Sequence, residues 1–255
     1  MQNEFKGQIA LVTAAAGLGL GQAVARRLAA GGARVVVTDS HERRTREVTA
    51  AMAADHPDTT VIGHTLDVGD RDQIHEVVAA VGKELGPIQL LVNNAAVNWA
   101  APIWDYDIDR WDRTVAVNLT GAWLLCRAIM PMMRDAGGGA IVNVSSGAAE
   151  EAGRFGDEPV YSITKGGMQT LTRSCANDGG PFNIRSNTVS TGIIMGSKFI
   201  NDHPDQAERA LKGVPLGRHP TAQDAAEAVV FLLSDRASAI TGTILDVNAG
   251  FHMRS

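Results

Sequence analysis

The sequence predicts an α/β fold: a doubly wound parallel sheet of about seven strands with helices on both faces. Three observations predict it. Short apolar runs alternate with longer stretches of helical periodicity from end to end. The runs lack the polar alternation of a half-solvated strand, so they read as strands covered on both faces. A glycine-rich turn separates the first apolar run from the first helical pattern, as in Rossmann-type sheets.

Taken in order, residues 9–13 (IALVT) form a first strand and 19–30 a helix. Arg34–Asp39 (RVVVTD) is a second strand, 45–54 a helix and 60–68 (TVIGHTLDV) a third strand. An amphipathic helix over 72–85 leads to a fourth strand, 88–95 (IQLLVNNA). Residues 107–136 read as one long helix, 139–146 (GAIVNVSS) as a fifth strand, and a helix runs from near Tyr161 to Asn177. A sixth strand at 183–190, a helix at 221–234 and a last strand at 242–250 complete the pattern. Crossovers are expected to be right-handed. No Pro- or Ser-rich linker and no repeat divides the chain, so one domain is expected. The less regular segment 193–214 follows the sixth strand, on the side where loops of such sheets face a ligand, and reads as a lid.

Bulk properties narrow the class. With 255 residues, 45% hydrophobic and 20% charged, the chain can bury a core without disulfides. A net charge of −5 argues against a nucleic-acid or anionic-membrane surface, either of which needs a basic face. Cys126 and Cys175 sit in apolar or helical contexts and read as small core residues in a reducing compartment. The first residues, MQNEFKGQ, are polar and carry no signal-peptide pattern. No apolar run is expected to reach the ~18 residues of a membrane span. A soluble, cytoplasmic protein is expected.

Gly17, Gly19 and Gly21, with Leu18 and Leu20 between them, stand where the first strand turns into a helix. Glycine there lets the backbone approach a pyrophosphate, and the helix N-terminus favours its charge. Such turns also occur for packing alone. Asp39, however, ends the second strand 18 residues after Gly21. A carboxylate there accepts hydrogen bonds from the adenosine ribose hydroxyls and repels a 2′-phosphate, so NAD is the expected cofactor. Arg43 and Arg44 are the counter-indication, because an arginine can hold a 2′-phosphate. Otherwise they are exposed charges on the first turns of a helix.

The chain has two tyrosines, and one of them, Tyr161, precedes Lys165 by four residues in YSITK. Residues so spaced share a helix face. An ammonium beside a phenol favours the phenolate and would make the tyrosine a usable proton donor and acceptor. Taken by itself, the pair also fits a surface tyrosine packed on a lysine stem.

Further motifs accompany it in order: NNAA at 93–96, VNL around Asn118, and IVNVSS ending in Ser146. Together with YSITK they resemble the short-chain dehydrogenase/reductase family over nearly the whole chain. The resemblance implies that Tyr161 exchanges a proton with the substrate oxygen, that Lys165 lowers the phenol's pKa and binds the nicotinamide ribose, and that Ser146 orients the substrate oxygen. Asn118 would hold a water linking Lys165 to solvent; the alternative is a satisfied core asparagine. Asn94 would brace the central strand or touch the cofactor, with Ala95 and Ala96 small enough to let the dinucleotide pass. Asp67 and Val68 would bind adenine, and Gly192 and Ile194 the nicotinamide carboxamide. A homo-oligomer, tetramer or dimer, is also implied, with the two long helices packed across the interface.

Several positions depart from the family pattern. Ala14 and Ala96 stand where glycine is usual, and the glycine turn carries one residue more. Ser146 precedes Tyr161 by 15 residues, two more than usual, leaving Ser145 as the fallback. Thr191 replaces a proline, Gly196 takes the slot of a lid threonine, and VNAG replaces a terminal VDGG.

No histidine pairs with another at ligand spacing and no CxxC or HExxH occurs, so no catalytic metal is expected. G-x-S-x-G is absent around both serines, against a serine hydrolase. The expected activity is oxidation of a neutral secondary alcohol, or reduction of its ketone. The alternatives are an NADP(H)-dependent ketoreductase of the 3-oxoacyl type, or a dinucleotide-binding sensor without chemistry. Trp99, Phe155 and Met195 suggest an apolar substrate wall. Glu150, Glu151, Asp157 and Glu158 against Arg154 disfavour an anionic substrate, unless those acids face solvent.

Overall fold

A computed structural model describes residues 3–152, 158–196 and 204–254. Its elements run β1 (Ile9–Val12), α1 (Leu20–Ala30), β2 (Arg34–Asp39), α2 (Glu42–Asp55), β3 (Val61–Thr65), α3 (Arg71–Glu84) and β4 (Leu90–Asn93). Then come α4 (Ile108–Val115), a π-helical turn (Ala116–Thr120), α5 (Gly121–Asp135), β5 (Gly139–Ser146), a 3₁₀ turn (Gly147–Ala149) and α6 (Pro159–Gly179). The chain closes with β6 (Ile184–Thr191), α7 (Pro204–Leu211), α8 (Ala222–Leu233) and β7 (Ile244–Val247).

The seven strands form one parallel sheet in the order β3-β2-β1-β4-β5-β6-β7. Chain order reverses between β1 and β4, and a crevice opens there at the strand C-termini. Alternate strand residues enter opposite cores, as the two-fold side-chain period requires. Ala10, Val12, Val35 and Val37 meet Val24 and Leu28 of α1 and Val229 and Val230 of α8. Ile9, Leu11 and Val36 meet Ile74 and Val81 of α3, Leu125 and Ile129 of α5, and Met168 of α6.

Three expectations need correction. β3 is shorter than its apolar run and alternates in burial from Val61 to Thr65, because it is an edge strand. The run 107–136 is one continuous helical rod, but its middle turn is π-helical. Finally, the stretch Ile108–Asp135 does contain an 18-residue window long and apolar enough to span a bilayer, with mean hydropathy 1.4. It lies against the sheet, with Leu124, Leu125, Ile129 and Met133 in the core.

Candidate active site

The crevice floor is built by Thr13, just past β1. Its Oγ1 donates to the Val92 carbonyl (3.2 Å) and accepts from the backbone N–H groups of Asn94 (2.8 Å) and Ala95 (3.0 Å). Asn94 Nδ2 donates back to the carbonyls of Thr13 (3.0 Å) and Ala14 (3.3 Å). The turn leaving β1 is thereby stapled to the end of β4. A Cβ on Gly21 would lie 2.6 Å from Asn94 Nδ2 and closer still to the Ala14 oxygen, whereas at Gly17 and Gly19 it would meet nothing within 4 Å. Gly21 therefore serves the seating of α1, and the other two border open space.

α1 starts at Gly19 with no side-chain cap and no acid in its first turn. Its first N–H groups are thus left for an anionic ligand, and a dinucleotide pyrophosphate fits this cradle. Leu18 is 92% exposed, while Leu20 points into the core, so Leu20 can offer a ligand only its backbone.

Asp39 is buried at the end of β2. It accepts from Ala16 N (3.3 Å), His41 N (3.1 Å) and Arg44 (2.8 Å). Arg44 is therefore more than an exposed helix charge; it neutralises Asp39, while Arg43 points outward beside Glu47. Asp67 accepts from one guanidinium nitrogen of Arg113 at 3.0 and 2.9 Å and from Gly69 N. Val68 is buried, and its carbonyl lies where a Cβ on Gly121 would go. Nothing in the sequence marked Arg113: its partner lies 46 positions away, beyond any local pattern.

Ser146, Tyr161, Lys165 and Asn118 come together. Ser146 lies close enough to Tyr161 to favour its phenolate. Lys165 Nζ sits 5.4 Å from the centre of the Tyr161 ring and donates to the Val144 carbonyl (2.8 Å). Ser146 Oγ also accepts from Ala148 N (3.2 Å), capping the 3₁₀ turn. Ser145 is committed elsewhere, donating to the Lys165 carbonyl (2.9 Å), so strand alternation gives Ser146 the open side. Asn118, fully buried in the π turn, accepts from Val97 N (2.8 Å) and donates to Val97 O (2.9 Å) and to Thr164 (3.1 Å). Thr164 donates onward to the Tyr161 carbonyl (2.8 Å). The Asn118 amide is thus the satisfied core asparagine of the bland reading, and it ties the π turn to α6.

The expected acidification of the phenol is not what this arrangement gives. Burial pushes Tyr161 up to about 12, and the charge of Glu158 adds to the rise, against a lowering by Ser146. Burial likewise pushes Lys165 down to about 8. Removal from water is the leading cause in both groups.

A family profile described as enoyl-(acyl carrier protein) reductase matches residues 14–252. The chain is 34% identical to D-threitol dehydrogenase of Mycolicibacterium smegmatis, over 97% of its own length and 94% of the relative's. It is 34% identical to trans-4-hydroxycyclohexanecarboxylate dehydrogenase of Sinomonas cyclohexanicum, over 95% and 92%. The crystal structure of levodione reductase superposes with a TM-score of 0.90 at 30% identity, covering 96% of this chain and 98% of that one. The chain belongs to the short-chain dehydrogenase/reductase family. It is an oxidoreductase of that family, whose members bind a nicotinamide dinucleotide.

On the substrate side of this short-chain dehydrogenase/reductase site, Ala95 is half-buried, Ala96 exposed and Trp99 half-buried. Gly192 abuts Asn248, with a would-be Cβ 3.1 Å from the Asn248 Cβ. Ile194 packs on the core, and Met195 is half-exposed, its N–H donating to the Pro220 carbonyl (2.8 Å). Phe155, Arg154, Asp157 and the central part of the expected lid lie outside the described residues. Glu150 and Glu151 do not stand as free acids: Arg254 holds Glu150 (2.6 Å) and His252 holds Glu151 (2.9 Å). They no longer argue against an anionic substrate.

Proposed function

We propose that the chain is an NAD-dependent dehydrogenase/reductase interconverting a neutral secondary alcohol and its ketone. One observation carries the reading: Ser146, at the end of β5, lies close enough to Tyr161 to favour its phenolate, with Lys165 one helical turn on and 5.4 Å from the centre of the phenol ring. In ketone reduction Tyr161 would donate its proton to the substrate oxygen, while Ser146 donates a second hydrogen bond to it and fixes its place. Lys165 would hold positive charge behind the phenol as its proton leaves. Asn118 would support a proton relay through its backbone, its amide being committed to Val97 and Thr164. The bound nicotinamide supplies or takes the hydride at the carbinol carbon.

Gly17, Leu18, Gly19 and the start of α1 would hold the pyrophosphate, and Asp39 the adenosine ribose. Asp67 and Val68 would take the adenine, Asn94, Ala95 and Ala96 would line the dinucleotide's path, and Gly192 and Ile194 would hold the carboxamide. Asp39 supports NAD, and Arg44 tempers the preference by neutralising that carboxylate. The names of the D-threitol and levodione enzymes among the similar proteins support a neutral substrate, against that of the trans-4-hydroxycyclohexanecarboxylate enzyme.

The test is a panel of secondary alcohols and ketones, read by reduced-nicotinamide absorbance with NAD(H) and NADP(H) in parallel. Turnover is expected with NAD(H) preferred. Tyr161→Phe should abolish turnover while NADH affinity, measured by fluorescence titration, stays within a few-fold of wild type. A Phe variant retaining most activity removes the proton-transfer role, and a preference for NADP(H) overturns the assignment to Asp39.

A further inference from the structure

The chain's own C-terminus touches three segments that border the substrate side. Asn248 abuts Gly192. Ala249 accepts from Leu216 N (3.2 Å), and a Cβ on Gly250 would lie 2.8 Å from the Pro215 ring, so the tail presses on the segment that follows α7. His252 and Arg254 reach the loop that leaves Ser146, where they hold Glu151 (2.9 Å) and Glu150 (2.6 Å).

The tail is built for this. Asn248, itself buried, accepts from Gly250 N (2.9 Å) and donates to the His252 carbonyl (2.8 Å), closing a tight reversal just past β7. Phe251 is buried and anchors it. Terminal residues are usually poorly ordered unless tied down in this way. Arg254 also grips Asp246 of β7 (2.7 Å) and so bridges the sheet to the Ser146 loop. Glu150 and Glu151 are adjacent carboxylates that would repel each other and draw the loop outward. Paired with His252 and Arg254, they instead hold it to the sheet. The titratable and charged groups gathered here are Glu150, Glu151, Asp246, His252 and Arg254.

We propose that residues 248–254 form a clasp that fixes the loop behind Ser146 against the base of the lid segment, with His252 and Arg254 as its positioning residues. It rests on the substrate-orienting role proposed for Ser146. Neither side chain is assigned contact with substrate; both act through Glu150 and Glu151. The pairs are largely covered, their side chains 17–31% exposed, so they add some stability; the clasp's effect on rate lies in geometry, where small displacements of a reacting group carry large rate penalties.

The experiment compares wild type, the double variant His252→Ala/Arg254→Met, the single variant His252→Gln, and Arg26→Met, which breaks an exposed ion pair on the α1–α2 side. Hydrogen exchange by mass spectrometry is read over 147–152 and 214–217, together with Tm, NADH affinity, and kcat and KM for the best substrate of the panel. In the double variant exchange should quicken in both segments, and kcat/KM should fall about tenfold, with Tm somewhat lower and NADH affinity near wild type. Glutamine can still donate to Glu151, so His252→Gln should keep most of the wild-type kcat/KM, and Arg26→Met should change nothing. Unchanged exchange in the double variant overturns the clasp, and quickened exchange with unchanged kinetics overturns its link to Ser146. A wild type that turns over no substrate overturns the proposed function instead, while exchange still decides the clasp.

Discussion

Lys165 and Tyr161 depart from their ordinary proton affinities in opposite directions, and each departure has a consequence for stability. The unfolded lysine keeps its proton up to 10.5, while the folded one releases it at about 8. Between those values the unfolded chain binds more protons, so stability rises with pH. Tyr161 does the reverse above 10, where the fold keeps a proton that the unfolded chain loses. Between pH 8 and 10 the lysine acts alone of the two. Urea unfolding of wild type should show stability rising by roughly 2–3 kcal/mol more across that window than Lys165→Met does. Parallel slopes in the two proteins would mean the ammonium is solvated. Two alanines carry a different strain. Ala14 and Ala249 adopt φ of 50° and 58°, each where the family usually places glycine. A left-handed alanine costs about 1–2 kcal/mol, and glycine's extra chain entropy returns part of that. Ala14→Gly should therefore raise stability by a few tenths to about 1 kcal/mol, read as an upward shift in Tm.

The glycine turn with α1 and the rod from α4 to α5 show what sequence can and cannot disclose about an element. The three glycines were legible because their spacing after an apolar run has a backbone reason. Their division of labour was not, since it depends on Asn94 arriving from β4. Gly21→Ala should drive a methyl into the Ala14 carbonyl and the Asn94 amide, at a cost of about 1–3 kcal/mol. Gly19→Ala meets open space in an extended conformation. It should leave Tm near wild type and weaken only NADH binding. If both variants lose stability alike, the turn is a packing device and the pyrophosphate cradle is wrong. The strand and helix order was legible in the same way, from runs short enough to be strands and periodic enough to be helices. The π turn was hidden, because a one-turn widening leaves the apolar periodicity of Ile108–Asp135 nearly intact. The roles of Arg44, Arg113, His252 and Arg254 were hidden too: charges that reach across the fold for their partners leave no local spacing to read.

The faces of the molecule differ in what they leave uncovered. A groove of about 560 Å³ runs between α5 and α6, lined by Leu119, Trp123, Met130 and Leu171 among others. Trp123 is 49% exposed, Ile163 of α6 50% and Trp111 of α4 37%. Contiguous large apolar side chains on adjoining helices exceed what scattered surface hydrophobics explain. The same groove carries one cation, Arg127, and one carboxylate, Asp178. A two-fold copy of this face is thus complementary to it in charge as well as apolar area, as an isologous interface requires. We propose that this face joins copies of the chain into a homo-oligomer. Sedimentation of wild type should give a dimer or tetramer, and Trp123→Glu with Ile163→Glu should shift it toward the monomer. Neither residue belongs to the core, so the monomer should keep its fold, seen as an unchanged circular dichroism spectrum. A monomeric wild type, or an oligomer indifferent to both charges, places the interface elsewhere. Because α6 carries Tyr161 and Lys165 on the same helix as Ile163, loss of the contact should also lower turnover per site. A monomer as active as the oligomer would mean that the sheet and the π-turn tie to Asn118 hold α6 in place unaided.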